Sequence, residues 1–379
     1  MLAVFRQNNN LNYCVLLFFF AIIAGCTILS QESDFNQAKG CNDIGILLPA
    51  TGAESVRWEQ YDRHHLESGI IRKIPGVTIR YFNANSNHDI QEKQADLALK
   101  KGSCILIIAP VDSKKASTFV QKAKQKGVPV ISYDRFIDDK DVFFYIGFDN
   151  KKVGELQAEY VINEFNKKEQ GIYNLKEGSN LVMINGAKTD PNTKAIQEGW
   201  FEKLNSHFDD KTLNLVFPNG KDDPEYFMDN WDGELAAKKV EELLRERQGD
   251  IQIILVGNDA MANEVIKILG DKTGKILITG QDGSLGSAIN IVKNYQGITI
   301  YKPIEDIAAK TVETVVALSN GYDTNSLINN TDIKSQVKTI PAHLLVPIAV
   351  TKDDIEKTLI EDDLFTKEKL CKGIQGICP

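Results

Sequence analysis

The chain has 379 residues, of which 42% are hydrophobic and 25% are charged, proportions of an ordinary globular protein long enough for two domains. Its formal net charge of −8 and sequence pI of about 5.3 argue against nucleic-acid binding, which selects basic surfaces. The four cysteines after residue 40 form no CxxC pair and the five histidines form no HExxH motif. We therefore expect no structural or catalytic zinc site. No other metal and no cofactor is expected.

The first 31 residues contain one charged side chain, Arg6, which precedes an apolar run of 12 residues at 14–25. That run is too short for a bilayer span of roughly 20 residues. A positive start, a short apolar core and small residues at its end predict a secretory signal. The sequence Ile-Ala-Gly-Cys ending at Cys26 resembles the bacterial lipoprotein box, which implies a signal peptide at 1–25, a lipid on Cys26 that anchors the chain to a membrane, and a tether at 26–41. A plain signal peptide or an uncleaved anchor remains open, and every alternative places the fold outside the cytoplasm.

Short apolar segments alternate with helix-period segments along the rest of the chain. This alternation predicts parallel sheets covered by helices on both faces. The eleven predicted strands exceed the comfortable number for one strongly twisted sheet, so two sheets are expected. The strands are predicted at Ile44–Leu48, Thr78–Phe82, Cys104–Ala109, Val128–Tyr133, Phe143–Phe148, Asn180–Ile184, Leu213–Phe217, Ile251–Val256, Ile276–Thr279, Ile298–Tyr301 and Leu344–Val350. Helices are predicted at Asp89–Lys101, Ser113–Lys126, Lys152–Asn166, Gly233–Arg247, Ala260–Leu269 and Ile304–Ser319, with a charged terminal helix near 352–368.

The order of these segments predicts two similar α/β lobes with a cleft between them. About five strand–helix units fill 42–150, and about five more fill 151–302. The elements after Pro303 are interpreted as returns across a hinge, because proline directly after a strand blocks its continuation. The predicted N-terminal lobe is 42–150 plus 303–338, and the predicted C-terminal lobe is 151–302 plus 339–379.

Polar side chains follow strand after strand where the predicted strands end. Asp134 and Arg135 follow one strand, and Asn258, Asp282 and Lys302 follow three others. Ligands of open α/β sheets bind just beyond the carboxyl ends of the strands. These side chains include no nucleophile–base pair, and their mixture of donors and acceptors suits a polyhydroxylated molecule. The pattern therefore predicts a sugar site.

Six segments, in this order along the chain, resemble the periplasmic sugar-binding proteins of ABC importers, and most closely their xylose-binding branch. The segments are Tyr133–Arg135, Phe144–Ala158, Gly257–Ala260, Gly280–Asp282, Tyr301–Ile304 and Leu344–Ile348. The resemblance implies two doubly wound parallel-sheet lobes joined by a multi-strand hinge. It also implies a non-catalytic protein that captures a monosaccharide, with D-xylose or a related aldopentose favoured, and delivers it to an ABC permease. The ligand-binding residues implied by the resemblance are Trp58, Asp134, Arg135, Asn192, Trp231, Asn258, Asp282 and Lys302.

Several residues have a structural alternative to a ligand role. Asp134 and Arg135 form a strand-end salt bridge in that alternative, and either Asn258 or Asp259 caps the following helix. We expect Asp259 to be the cap and Asn258 to be the ligand contact.

We make two further predictions about the cysteines after the signal segment. Cys104 opens a buried strand and is expected to be a small core residue. A local disulfide between Cys371 and Cys378 is one possibility in an oxidising compartment, and this end of the chain has no counterpart in the family pattern.

Two rival functions use the same residues. A sensor that serves a membrane histidine kinase or chemoreceptor would read the closed form by the same surface contacts. A glycosidase would need a carboxylic acid with a raised pKa and a second carboxylate. Asp134 and Asp282 supply two carboxyl groups, but neighbouring Arg135 and Lys302 would lower the pKa of both, so no enzyme activity is expected.

Overall fold

The structure, a computed structural model, describes residues 38–50, 56–216, 222–330, 333, 338–372 and 374. The predicted signal segment and Cys26 lie outside this range. The described chain forms two six-stranded sheets. Across the first sheet the strands are β11 (Ala342–Leu345), β5 (Phe144–Phe148), β4 (Val130–Tyr133), β3 (Ile105–Ile108), β1 (Asp43–Leu48) and β2 (Thr78–Asn83). Across the second they are β12 (Ile348–Val350), β10 (Ile298–Tyr301), β9 (Leu277–Gln281), β8 (Ile253–Val256), β6 (Ser179–Ile184) and β7 (Leu213–Leu215).

Ten α-helices in the described part of the chain connect and cover these strands. They are α1 (Arg63–Lys73), α2 (His88–Lys101), α3 (Ser117–Gln125), α4 (Asn150–Asn166), α5 (Pro191–Asp209), α6 (Gly233–Glu246), α7 (Asp259–Ile268), α8 (Leu285–Val292), α9 (Ile304–Asn320) and α10 (Lys367–Lys372). A π-helical turn at Val56–Asp62 leads directly into α1. Within the ranges described, none of these helices combines the length and the apolarity that a membrane crossing requires.

Both sheets have the same doubly wound order, and the prediction of two parallel-sheet lobes is confirmed. Strands such as Ile105–Ile108 and Ile253–Val256 are buried along their whole length. They read as continuous apolar runs because helices cover both faces of a parallel sheet. All pairings in the two sheets are parallel except that between β10 and β12.

The predicted strand Leu344–Val350 was wrong as a single element, because two strands occupy this segment. β11 extends the first sheet beside β5, whereas β12 extends the second sheet beside β10. Val346 and Pro347 separate them, and proline cannot donate a ladder hydrogen bond. A lobe boundary at 338 would place both strands in the C-terminal lobe, whereas the pairing divides them between the sheets.

Three connections in the described chain pass from one sheet to the other. The first leads from β5 into α4, whose Gln157 donates to the Val256 and Gly280 carbonyls of the second sheet. The second leads from β10 into α9, which packs in the core of the first sheet. The third is the short link between β11 and β12. These connections form the hinge between the lobes.

The predicted terminal helix near 352–368 was also wrong. The segment contains a 3₁₀ turn at Lys352–Asp354, a π-helical turn at Glu356–Ile360 and then α10. Asp363 has a left-handed φ of 55°, which interrupts any continuous helix. The interruption lets Leu359 and Phe365 pack in one apolar cluster on the second lobe.

The cysteines behave differently from expectation. Cys41 and Cys104 form a disulfide with a Cα–Cα distance of 5.6 Å, so the expectation that Cys104 is only a core residue was wrong. The bond joins the segment before β1 to the segment before β3, and these strands are neighbours in the sheet. Cys371 is disulfide-bonded, while its predicted partner Cys378 lies outside the described residues.

Replacing both Cys41 and Cys104 with Ala should lower the free energy of unfolding by about 4 kcal/mol, because the closed loop of 63 residues limits the unfolded chain. Urea unfolding followed by circular dichroism measures the difference from wild type. The single variant Cys104→Ala should lose a similar amount. A loss below about 1 kcal/mol in the double variant would show that the bond does not constrain the unfolded chain as this loop length predicts.

Candidate functional site

The carboxyl ends of the two sheets face a shared cavity of about 440 Å³. It is lined from both lobes, as expected where parallel strands end. The structure brings all eight sequence-predicted residues to this cavity: Trp58, Asp134, Arg135, Asn192, Trp231, Asn258, Asp282 and Lys302. Seven of the eight are buried, and the exception is Asp282, whose side chain is 24% exposed.

Asp134 and Asp282 occupy equivalent positions at the tips of β4 and β9. The backbone N–H of Asp134 donates to the Ile146 carbonyl, and that of Asp282 donates to the Ile300 carbonyl, each at 2.8 Å. Both residues adopt left-handed backbone conformations, with φ values of 58° and 97°. Such conformations are uncommon for non-glycine residues and occur often at functional sites, where surrounding structure holds them. Here the neighbouring strand holds each one.

Arg57 links the two lobes at the centre of the cavity. Its Nη2 lies 2.7 Å from Asp134 Oδ1 and its Nη1 lies 3.6 Å from Asp282 Oδ1. Its Nε lies 3.2 Å from Asp62 Oδ2, a fully buried carboxylate on the π-helical turn. Tyr133 donates its hydroxyl to Asp62 at 2.6 Å. One guanidinium therefore contacts three carboxylates, which a planar side chain with five donors can do.

A second cross-lobe pair lies beside this one. Arg135 Nε of the first lobe lies 2.8 Å from Asp190 Oδ2 of the second. The indole Nε1 of Trp231 donates to the same carboxylate at 3.1 Å. Asn192 donates from its backbone to Asp190 at 2.9 Å and from its side-chain amide to the Asp134 carbonyl at 3.3 Å. Arg135 therefore makes a salt bridge across the cleft.

Lys302 places a third cation between the lobes. Its Nζ lies 3.8 Å from Asp134 and 3.5 Å from Asp282. Burial alone would raise the pKa of Asp134, but Arg57 and Lys302 outweigh burial and hold that pKa well below its usual range. Asp134 is therefore ionised at neutral pH, although it is only 2% exposed.

At two other buried carboxyl groups burial outweighs the neighbouring cations. Burial raises the pKa of Asp62 to about 6, although Arg57 and the Tyr133 hydroxyl oppose the rise. Burial also raises the pKa of Asp190, against the influence of Arg135. Both oxygens of Asp190 accept hydrogen bonds or an ion pair, so this group is held as an acceptor.

The helix-capping expectation was wrong, because Asn258 and not Asp259 caps α7. Asn258 Oδ1 accepts from the Met261 backbone at 3.0 Å, which leaves the amide nitrogen as its other polar group. Asp259 accepts from the Ser284 backbone, the Thr299 hydroxyl and other donors. Burial raises its pKa to about 7. Asp259 thereby holds the loop that carries Asp282.

The two tryptophans among the predicted ligand-binding residues line the same cavity. The Trp58 ring lies under the Arg57 guanidinium at 4.6 Å and packs edge-on to Tyr133 at 6.5 Å. Trp231 packs against Gly186, where a Cβ atom would meet the indole ring at 2.4 Å. Only glycine therefore admits the indole at this position.

Sequence reasoning missed several lining residues, including Arg57, Tyr61, Asp190, Gln281, Leu364 and Phe365. The sequence held signals for three of them, since Gln281 lies in the motif segment Gly280–Asp282. Arg57 is adjacent to the predicted Trp58, and Asp190 lies in the loop that supplied Asn192. No periodic or strand-end pattern marked the C-terminal residues. Within the described ranges, no group of three or more His, Cys, Asp or Glu side chains is arranged to hold a metal ion.

The chemistry of the cavity is that of binding a neutral polar molecule. Each cation already lies beside a carboxylate, so a charged ligand would leave one buried charge without a partner. Asp282 Oδ1 is buried and lacks a hydrogen bond, and it can accept one from a ligand. Two lobes that share such a cavity define a two-lobed binding protein.

Comparison with known proteins gives the same class. The family model for the periplasmic binding protein domain matches residues 71–323. The D-xylose-binding periplasmic protein of Escherichia coli (strain K12) is 31% identical over 339 residues, covering 88% of this chain and 95% of the relative. The multiple sugar-binding periplasmic receptor ChvE of Rhizobium radiobacter is 29% identical, covering 86% and 92%. An ABC transporter solute binding protein from Clostridium phytofermentans, solved with beta-D-glucose, aligns with a TM-score of 0.77 at 23% identity, covering 86% and 99%. The chain belongs to the periplasmic binding protein family.

Arg57→Ala should lower the free energy of unfolding by about 3–5 kcal/mol at neutral pH, because it leaves buried Asp62 without its cation and removes one of the two cations between Asp134 and Asp282. The loss should be smaller at pH 5, where the carboxyl groups that lost this cation can take up protons. Thermal and urea unfolding at both pH values measure the effect.

Arg63→Ala is the matched control. Arg63 pairs with Glu59 and Glu67 on the surface, and its side chain is 40% exposed, so the loss should stay within about 1 kcal/mol. Equal losses in the two variants would contradict the special role of Arg57.

Proposed function

We propose that this protein captures a monosaccharide between its two lobes, with D-xylose or a related aldopentose favoured, and delivers it to an ABC permease. The observation that carries the proposal is the cavity at the carboxyl ends of both sheets, in which three cations and three carboxylates lie in pairs across the cleft. Relatives named for xylose and for multiple sugars support the sugar class.

The residues that we propose as ligand contacts match the surface of a pyranose. Its hydroxyls need donors and acceptors in fixed positions, which Asp, Asn, Arg and Lys side chains supply. Its C–H faces suit aromatic rings, which Trp58 and Trp231 supply. Hydrogen bonds to charged groups are roughly twice as strong as neutral ones, so a neutral sugar can bind tightly. A misplaced hydroxyl leaves a buried group unpaired at a cost of about 1–3 kcal/mol, which gives selectivity.

Binding is coupled to lobe closure in this proposal. Trp58, Asp134 and Arg135 belong to the first lobe, whereas Asn258 and Asp282 belong to the second. A sugar contacts both sets only when the lobes are closed, so it stabilises the closed form. The permease then distinguishes the loaded protein by the relative position of the lobe surfaces.

Binding without catalysis is the better interpretation of the carboxyl groups. A glycosidase needs a protonated carboxylic acid beside the scissile bond. The pKa of Asp134 is held low by its cations. Asp190 and Asp259 have raised pKa values, but their oxygens already accept hydrogen bonds from protein donors.

A lipid on Cys26 would keep the protein at the membrane that carries the permease. The short apolar run and the lipoprotein box before Cys26 motivate this part of the proposal. Intact-mass spectrometry of the mature protein tests it, since an unmodified thiol or an uncleaved N-terminus would exclude it.

Isothermal titration calorimetry against a panel of pentoses and hexoses tests the ligand class. At least one aldopentose should bind with a Kd below about 100 μM, or roughly −5.5 kcal/mol. Charged sugars such as uronic acids should bind more weakly than the matching neutral sugar, because their carboxylate adds an unpaired charge. A panel in which no neutral sugar reaches this affinity would reject the proposal.

Arg135→Ala and Asp282→Ala should each weaken sugar binding by at least tenfold, or about 1.4 kcal/mol, because each removes a charged hydrogen-bonding partner. Arg245→Ala and Asp271→Ala are matched controls, since both residues are exposed and lie outside the cavity. The controls should bind as wild type does. Wild-type affinity in both test variants would remove these residues from the site.

A further inference from the structure

The C-terminal segment 361–370 lies outside both sheets and packs on the second lobe. Phe365 and Leu370 are buried there in an apolar cluster with Ile291, Tyr301 and Leu359. Cys371, directly after this segment, is disulfide-bonded. The segment therefore has a fixed place on the second lobe and moves with it.

This segment lines the ligand cavity. Leu364, Phe365 and Lys369 face it together with Gln60 and Tyr61 of the first lobe. Gln60 and Lys369 are exposed, so this side is the solvent-facing end of the cavity. Buried charged residues such as Asp134 lie at the other end.

A hydrogen bond joins the segment to the opposite lobe. The Tyr61 hydroxyl donates to the Leu364 carbonyl oxygen at 2.8 Å. Tyr61 precedes Asp62 on the π-helical turn, and Asp62 pairs with Arg57. The same short turn therefore contacts both the charged centre of the cavity and the C-terminal segment at its solvent-facing end.

The segment also contacts the loop that carries Asp282. Gly283 has a left-handed φ of 71°, and a Cβ atom on it would lie 2.8 Å from Leu359 Cδ2 and 3.5 Å from Leu364 Cδ2. The missing Cβ leaves room for Leu359, which precedes the segment, and Leu364 of the segment lies at ordinary contact distance from the same glycine. A shift of the C-terminal segment would therefore also shift the loop that carries Asp282, and the reverse.

We propose that segment 361–370 is the outer wall of the ligand site and that Tyr61 is the positioning residue that fastens this wall when the lobes close. The proposal rests on the proposed function of sugar capture. A bound sugar leaves only after the hydrogen bond between Tyr61 and Leu364 has broken and the lobes have separated. The bond therefore slows dissociation, while it is absent from the open form that the sugar first meets.

Tyr61→Phe keeps the aromatic ring and removes only the hydroxyl. In stopped-flow fluorescence, the sugar dissociation rate should rise about fivefold, the effect of one net hydrogen bond, and the association rate should change less than twofold. Tyr322→Phe is the matched control, because Tyr322 is 64% exposed and should leave both rates unchanged. An unchanged dissociation rate in Tyr61→Phe, with sugar binding intact in wild type, overturns the proposal and leaves the proposed function standing.

A second measurement decides the inference without any sugar. Spin labels attached through Lys100→Cys and Lys238→Cys, exposed positions on α2 and α6, report the distance between the lobes. In the sugar-free protein, Tyr61→Phe should shift the distribution by lowering the population at short, closed distances, because only the closed form contains the bond. If wild type binds no sugar of the panel, the proposed function fails. In that case, the proposed role of Tyr61 in fastening the outer wall is judged by the distances alone. An unchanged distance distribution in Tyr61→Phe contradicts this role, and a loss of closed distances supports it.

Discussion

The pairing of buried charges across the cleft is the constraint on which the closed structure depends. Arg57 and Lys302 both lie between Asp134 of one lobe and Asp282 of the other, and Arg135 meets Asp190 across the same gap. Buried charges are costly unless they are paired. When the lobes separate, water must replace these ion-pair partners. Opening of the cleft therefore depends on how well a few charged side chains are hydrated. The hydroxyl groups of a neutral ligand can form hydrogen bonds with these charged side chains as water does, and the ligand adds no charge to the cleft.

The two lobes have the same strand order but present different residues to the cleft. Asp134 and Asp282 end equivalent strands and share a left-handed backbone and an equivalent hydrogen bond to the next strand. A duplicated scaffold thus supplies two similar carboxylates, and the residue after each one differs: Arg135 of the first lobe makes an ion pair across the cleft, and Gly283 of the second leaves the outer wall close to its loop.

The sequence predicted most of the fold and the polar strand tips, because continuous apolar runs and residues at strand ends are local features. What it missed depends on backbone geometry or on distant pairing. Whether Asn258 or Asp259 caps α7 depends on backbone dihedral angles, which cannot be read from the identity of two adjacent residues. Cys41 and Cys104 are 63 residues apart and meet only because β1 and β3 are adjacent. The C-terminal segment folds irregularly around Asp363, so its contribution to the cavity carried no periodic signal.

The direction of β1 has a mechanical consequence. Its carboxyl end points at the cleft, so its amino end, beside Cys41, lies at the far pole of the first lobe. The bond to Cys104 cross-links this pole to β3, and the Gly40 N–H donates to the Ser319 carbonyl of α9. A mechanical force applied before residue 38 is therefore distributed over β1, β3 and α9, and it does not act on β1 alone. The cleft therefore opens on the side of the first lobe that is remote from residue 38.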